Sequence, residues 1–99
     1  MKGLPPGTIL QLLYLEERVK QIDPGRFLEI GPGTGEISRM LLNMGWAGVS
    51  YDLEPQTVQR LRLRFSREVE EGRYRPVCGD FLASVDADLG HFDMVISSW

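Results

Sequence analysis

Three glycines alternate with other residues in the run FLEIGPGTGEIS, Phe27 to Ser38. They are Gly31, Gly33 and Gly35, with Pro32 and Thr34 between them. Glycine takes positive φ without strain and places no Cβ between the backbone and a ligand. An apolar run leads into the glycines and an amphipathic run leads out, so they join a strand to a helix. The start of that helix offers unpaired N–H groups and the positive end of a dipole. Such a turn suits a polar, partly anionic ligand. The plain structural alternative is a tight turn made for close helix–strand packing. The spacing is G-x-G-x-G, whereas the dinucleotide fingerprint is G-x-G-x-x-G, so the third glycine comes one residue early. No Gly-Lys-Ser or Gly-Lys-Thr follows, which excludes a P-loop.

Other side chains offer less chemistry. His91 is the only histidine, so neither a Ser-His-Asp triad nor a histidine–cysteine metal cluster is expected, and no metal site is assigned. Cys78 is the only cysteine and reads as a small buried hydrophobe near a strand end. Arg60, Arg62, Arg64 and Arg67 precede Glu68, Glu70 and Glu71. Arg64–Glu68 and Arg67–Glu71 have the spacing of ion pairs one helical turn apart, so this stretch reads as a solvated helix face.

The elements that must position the glycine run follow from periodicity and punctuation. Thr8 is expected to cap a helix from Ile9 to Ile22, with Ile9, Leu12, Leu13, Val19 and Ile22 at helical spacing. Asp23-Pro24-Gly25 is a turn, and Arg26 to Ile30 a short buried strand. Glu36 to Met44 reads as a helix with Ile37, Met40, Leu41 and Met44 on one face, stopped by Gly45. Ala47 to Asp52 is a second strand. Pro55 opens a helix running to Glu71, with Val58, Leu61, Phe65 and Val69 inward and Gly72 at its end. Tyr74 to Cys78 is a third strand and Gly79-Asp80 a turn. Phe81 to Leu89 is a loop or short helix, and Phe92 to Ser97 a fourth strand. Strands alternating with helices imply a parallel sheet with helices on its faces, an α/β fold. In such sheets ligands sit at the carboxyl ends of the strands, where the glycine run lies.

From about Arg26 to Trp99 the sequence resembles the class I methyltransferases that use S-adenosylmethionine. Their first motif is an apolar strand, an acidic residue and G-x-G-x-G; LEIGPGTG matches it with Glu29 as the acid. The second is an acidic residue ending strand two, and VSYDLEP supplies Asp52, followed by Leu53. The third, CGDFL, supplies Asp80 and Phe81. The fourth region, HFDMVISSW, resembles the strand whose end borders the methyl-donor site. There Asp93 is structural, and Ser97 and Ser98 lie at the edge of the reaction centre. The resemblance implies a Rossmann-like doubly wound parallel sheet of which this chain supplies strands 3-2-1-4, out of seven in the order 3-2-1-4-5-7-6. Residues 1–25 would be an N-terminal helix and turn, and 26–99 the core of an apparently truncated cofactor-binding domain.

The same resemblance implies S-adenosylmethionine as cofactor, held by Glu29, Gly31, Pro32, Gly33, Thr34, Gly35, Asp52, Leu53, Asp80, Phe81 and Ser97. Asp52 would accept hydrogen bonds from the ribose hydroxyls. Asp80 would accept one from the adenine amino group, and Phe81 would pack on the ring. Backbone carbonyls near Gly31 and Ser97 would receive the methionine ammonium. Glu29 would help through water and counter the sulfonium charge at longer range. The plain structural readings are a helix cap for Asp52, and a Gly-Asp turn followed by a core Phe for Asp80 and Phe81. Methyl transfer to an O, N or C nucleophile would follow, with no catalytic base assigned.

Composition narrows the remaining expectations. The chain has 99 residues, 42% apolar and 25% charged, as one soluble globular domain has. Its net charge of −3 argues against a nucleic-acid partner. The chain lacks the Asn-Pro-Pro-Tyr or Asp-Pro-Pro-Tyr run of those members of the resembled family that methylate exocyclic amines of bases or glutamine side chains, so the resemblance argues against such acceptors. A small-molecule acceptor is therefore expected. Apolar runs are too short for a membrane span, and Pro-Pro-Gly stands where a signal peptide needs its apolar segment, so the expectation is a cytoplasmic protein with no membrane partner. Strand four would be an open edge available for self-association. Two other readings stand beside the methyltransferase: a non-catalytic fragment acting as a binding module, and a nicotinamide- or flavin-binding dehydrogenase domain.

Overall fold

The computed structural model describes residues 6–84 and 90–97. In chain order the elements are α1 (Pro6–Val19), β1 (Arg26–Ile30), α2 (Glu36–Asn43), β2 (Ala47–Asp52), α3 (Pro55–Arg64), α4 (Ser66–Glu70), β3 (Tyr74–Cys78), a 3-10 turn (Phe81–Ser84) and β4 (Met94–Ser97). The strands form one parallel sheet in the order β3-β2-β1-β4. Leu28 of β1 sits between Val49 of β2 and Val95 of β4, and Cys78 of β3 is level with Asp52 of β2. The Rossmann-like arrangement and its 3-2-1-4 order are those expected from the motifs.

Alternation along each strand sends successive side chains to opposite faces. On one face Phe27 and Tyr74 pack with Leu41, Leu42, Trp46, Leu61, Phe65 and Val19, all buried. On the other, Leu28, Val49 and Tyr51 pack with the half-buried Val77, Phe81 and Phe92. Gly48 is required by the first cluster, because a Cβ there would lie 2.5 Å from the Phe27 ring.

Several boundaries differ from expectation. Thr8 lies inside α1 and does not cap it, and α1 ends at Val19, three residues early, leaving Ile22 exposed. The helix expected to run from Pro55 to Glu71 breaks at Phe65 (φ −109°, ψ 32°), giving α3 and α4. The break redirects the charges. Glu68 pairs with Arg39 of α2 at 2.7 Å and Arg64 with Glu36 at 2.9 Å in place of the expected Arg64–Glu68 pair, and Glu71 pairs with Arg73 at 3.6 Å in place of Arg67. The Arg39 guanidinium holds the Glu68 carboxyl below its ordinary pKa. β4 starts at Met94, two residues late. Before it, the Asp93 carboxylate accepts the Arg26 N–H at 2.9 Å, and the Asp93 N–H donates to the Arg26 carbonyl at 2.7 Å. That bond from the Arg26 amide holds the Asp93 carboxyl below the usual range. Cys78, expected to be buried, is exposed at the end of the edge strand β3. Of the stretch from Phe81 to Leu89, residues 81–84 form the 3-10 turn and the remainder lies outside the described residues, as do Ser98 and Trp99.

Overpacking a tight contact costs about 1–3 kcal/mol. Gly48→Ala is expected to lower the unfolding free energy, read from urea denaturation, by an amount in that range, and to cost less in a Phe27→Ala background, where the clashing ring is gone.

Candidate functional site

The carboxyl ends of β1, β2 and β3 open into a cleft of about 480 Å³, within the usual range for small-ligand sites. Its lining is Ile30 and Gly31 from β1, Tyr51 to Glu54 from β2 and the loop after it, and Gly79, Asp80 and Phe81 from the loop after β3. The floor is apolar. The Phe81 ring meets Tyr51 edge-on, with centroids 5.5 Å apart. Leu53, 72% exposed, stands at the rim.

Local hydrogen bonds fix the two rim carboxylates. Asp52 Oδ1 accepts the Glu54 N–H at 2.9 Å, and Asp80 Oδ1 accepts the Leu82 N–H at 2.9 Å. Each is an Asx turn, a short loop closed by its own side chain. The Gly79 N–H donates to the Asp52 carbonyl at 2.9 Å, which ties the β2 and β3 loops together. The Gly31 N–H donates to the Tyr51 carbonyl at 2.9 Å, which ties the glycine run to β2.

The glycine run itself is a turn closed by the Gly35 N–H on the Pro32 carbonyl at 3.0 Å. Gly33 (φ 59°) has open space where a side chain would stand, so ligand atoms can approach its backbone. Gly35 (φ 90°) is different. A Cβ there would lie 2.7 Å from the Phe65 ring and 2.8 Å from Leu61, so its bareness serves the packing of the loop on α3. Of the residues named from sequence, Gly31, Asp52, Leu53, Asp80 and Phe81 converge on the cleft. Gly33 and Thr34 are exposed in the turn, Pro32 is buried beneath it, and Ser97 ends β4 level with Ile30.

Glu29 lies apart from the cleft lining. It is fully buried, and Oε1 accepts the Ser38 hydroxyl at 2.6 Å and the Ser50 hydroxyl at 3.3 Å. The Tyr74 hydroxyl donates to Ser50 at 2.8 Å and lies 3.0 Å from Ser38 Oγ. Burial pushes the Tyr74 phenol up to about 12, against the opposing effect of its two serine contacts. The sequence reading missed this hydroxyl cage, and also Ile30, Tyr51 and Gly79 in the cleft. The latter were legible as immediate neighbours of named strand-end residues. The cage brings together residues up to 45 positions apart only through the sheet register, and no local pattern announces it.

A second, smaller cleft of about 240 Å³ lies between α1 and α2, lined by residues including Leu12, Glu16, Met40 and Met44. It holds none of the residues carried by the motifs. Among the described residues no three His, Cys, Asp or Glu side chains cluster as metal ligands would. Among them, too, no helix is long and apolar enough to cross a membrane.

This fold defines a Rossmann-like class of domain, and comparison with known proteins narrows the class. Residues 27–99 match the methyltransferase domain family. The chain belongs to the class I S-adenosylmethionine-dependent methyltransferases. It is 38% identical over 75 residues to ribosomal RNA small subunit methyltransferase A of Synechococcus sp., covering 76% of this chain and 26% of that protein. A probable ribosomal RNA small subunit methyltransferase A of Methanospirillum hungatei is 34% identical over 71 residues, covering 72% of this chain and 27% of the relative. The chain thus spans about a quarter of the length of these relatives. The fold superposes on the S-adenosylhomocysteine-bound Podospora anserina methyltransferase with a TM-score of 0.74 at 19% identity, over 91% of this chain and 40% of that one.

These relatives correct the expected partners. A small-molecule acceptor, an absence of nucleic acid and self-association through an open edge were expected, yet the matched relatives are ribosomal RNA methyltransferases. The expectation rested on net charge and on the lack of an Asn-Pro-Pro-Tyr or Asp-Pro-Pro-Tyr run. The charge of a chain spanning a quarter of its relatives does not report on the surface that receives the acceptor.

The raised Tyr74 pKa has a sign. The folded state holds the phenol proton between the ordinary value of 10 and about 12, whereas the unfolded chain releases it. Stability from this group is full below pH 10 and is lost as pH rises through 12, at up to about 1.4 kcal/mol per pH unit. Tyr74→Phe is expected to flatten that alkaline decline, as measured by denaturant unfolding between pH 9 and 12.

Proposed function

We propose that this chain binds S-adenosylmethionine in the cleft at the carboxyl ends of β1, β2 and β3, as the cofactor-binding part of a methyltransferase acting on RNA. The observation that carries the reading is the convergence of Asp52, Asp80, Phe81 and Gly31 on one cleft of suitable size. The residues present fit the group. The Asp52 carboxylate accepts the Glu54 N–H through Oδ1 and retains acceptor capacity at Oδ2 for a ribose diol. The rings of Phe81 and Tyr51 form a wall against which a purine can pack. Asp80 supplies an acceptor for an exocyclic amine, and the open backbone at Gly33 admits a ligand tail.

S-adenosylmethionine supplies an electrophilic methyl group on a sulfonium. The chain's own contribution is to grip and align, which can account for a large part of a rate enhancement in a bimolecular transfer. Asp52 and Asp80 fix the two ends of the nucleoside, and the apolar floor of Tyr51 and Phe81 excludes water from it. The relatives, whose names give ribosomal RNA, support RNA as the acceptor class.

Two measurements test this reading. Calorimetric titration with S-adenosylhomocysteine is expected to saturate, with Asp52→Ala weakening binding at least tenfold, the loss of one or two hydrogen bonds to a carboxylate. Transfer of labelled methyl from S-adenosylmethionine, assayed with ribosomal RNA from the small subunit, is expected to label the RNA. Saturable cofactor binding with label in another acceptor and none in RNA would remove RNA as the acceptor while leaving the cofactor site intact.

A further inference from the structure

The glycine turn is held from outside as well as by its own hydrogen bonds. Arg64, the last residue of α3, reaches across to it. Its Nη1 donates to the Thr34 carbonyl at 2.5 Å and to Glu36 Oε1 at 2.9 Å. Thr34 precedes Gly35 in the turn, and Glu36 is the first residue of α2. The guanidinium carbon also lies 5.2 Å from the centroid of the Phe65 ring. That is the ring against which Gly35 is packed. One side chain thus joins the turn, the N-terminus of α2 and the C-terminal end of α3. The break at Phe65 makes this possible, since Glu68, one turn ahead in sequence, is taken by Arg39 and does not compete for Arg64.

We infer that Arg64 is a positioning residue for the cofactor site: it holds the Thr34–Glu36 segment so that the glycine backbone meets the amino-acid tail of the ligand. The inference rests on the cofactor reading above. Its physical basis is the strength of charge-assisted hydrogen bonds and the entropy of a loop that must otherwise be ordered on binding. The adenosine end of the ligand is served by other groups, Asp52, Asp80 and Phe81, which Arg64 does not touch. Its loss should therefore fall unevenly along the ligand.

The test compares two probes on the 99-residue chain, S-adenosylhomocysteine and adenosine, by calorimetric titration. Arg64→Met keeps an aliphatic stem over Phe65 and removes the donor. It is expected to weaken S-adenosylhomocysteine about tenfold and to leave adenosine within twofold of wild type. Arg64→Lys is expected to recover most of the loss, because a single nitrogen makes both contacts in the native chain. Equal weakening of both probes would mean a general structural role and would overturn the inference, as would unchanged binding of S-adenosylhomocysteine. If Arg64→Met does not fold, Arg64→Gln measured with the same two probes decides by the same criteria. Failure of the wild-type chain to bind S-adenosylhomocysteine would overturn the cofactor reading itself, and this inference with it.

Discussion

A carboxyl group closed off from water, that of Glu29, is the constraint on which the arrangement of elements depends. A buried carboxyl group left without its hydrogen-bond partners is costly in either protonation state, so separating it from the groups around it is disfavoured. Those groups come from three other elements. Ser38 belongs to α2, Ser50 to β2 and Tyr74 to β3, and their hydroxyls form one connected cage with the carboxyl. β1, β2 and β3 are thereby locked in register beneath the cleft, and α2 is fixed at the angle at which it leaves the glycine turn. The residues that face a ligand contribute little to this. They sit on short Asx turns above a base that the cage and the two apolar clusters hold still.

The same division of labour explains the glycines. All three have positive φ, but they answer different demands. Gly31 continues the β1 ladder to Tyr51 and leaves the cleft open, Gly33 faces open space, and Gly35 lies against Phe65 and Leu61. The run is bare partly to leave open space at Gly33 and partly to let Gly35 pack on α3 and Phe65. The helix after β2 therefore has two connections to the site. Its start follows directly on the Asp52 loop, and its end carries Leu61, Arg64 and Phe65 against the glycine turn.

Much of this was legible in the sequence because the informative residues are local. Strand ends, glycines and the acidic residues after β2 and β3 mark the cleft without any knowledge of packing, and the alternation of elements implies the parallel sheet. The break at Phe65 was not legible. The apolar positions Val58, Leu61, Phe65 and Val69 keep helical spacing through it, and the break shows only in the backbone angles and in the exchange of ion partners. Glu29 was legible as a motif residue but not as the occupant of a hydroxyl cage, because its neighbours arrive from positions 38, 50 and 74 through tertiary register. The acceptor was misjudged because mean charge and one missing tetrapeptide were asked to speak for a surface. The relatives, four times longer than the aligned stretch, point to RNA instead.

The most direct test of the central claim is to map the ligand onto the chain residue by residue. Amide chemical shifts of the isotopically labelled chain would be followed by NMR during titration with S-adenosylhomocysteine. The account predicts saturable shifts centred on Gly31, Gly33, Asp52, Leu53, Gly79, Asp80 and Phe81. Shifts confined to the α1–α2 cleft around Leu12, Met40 and Met44, or no saturable shifts from a folded chain, would contradict it.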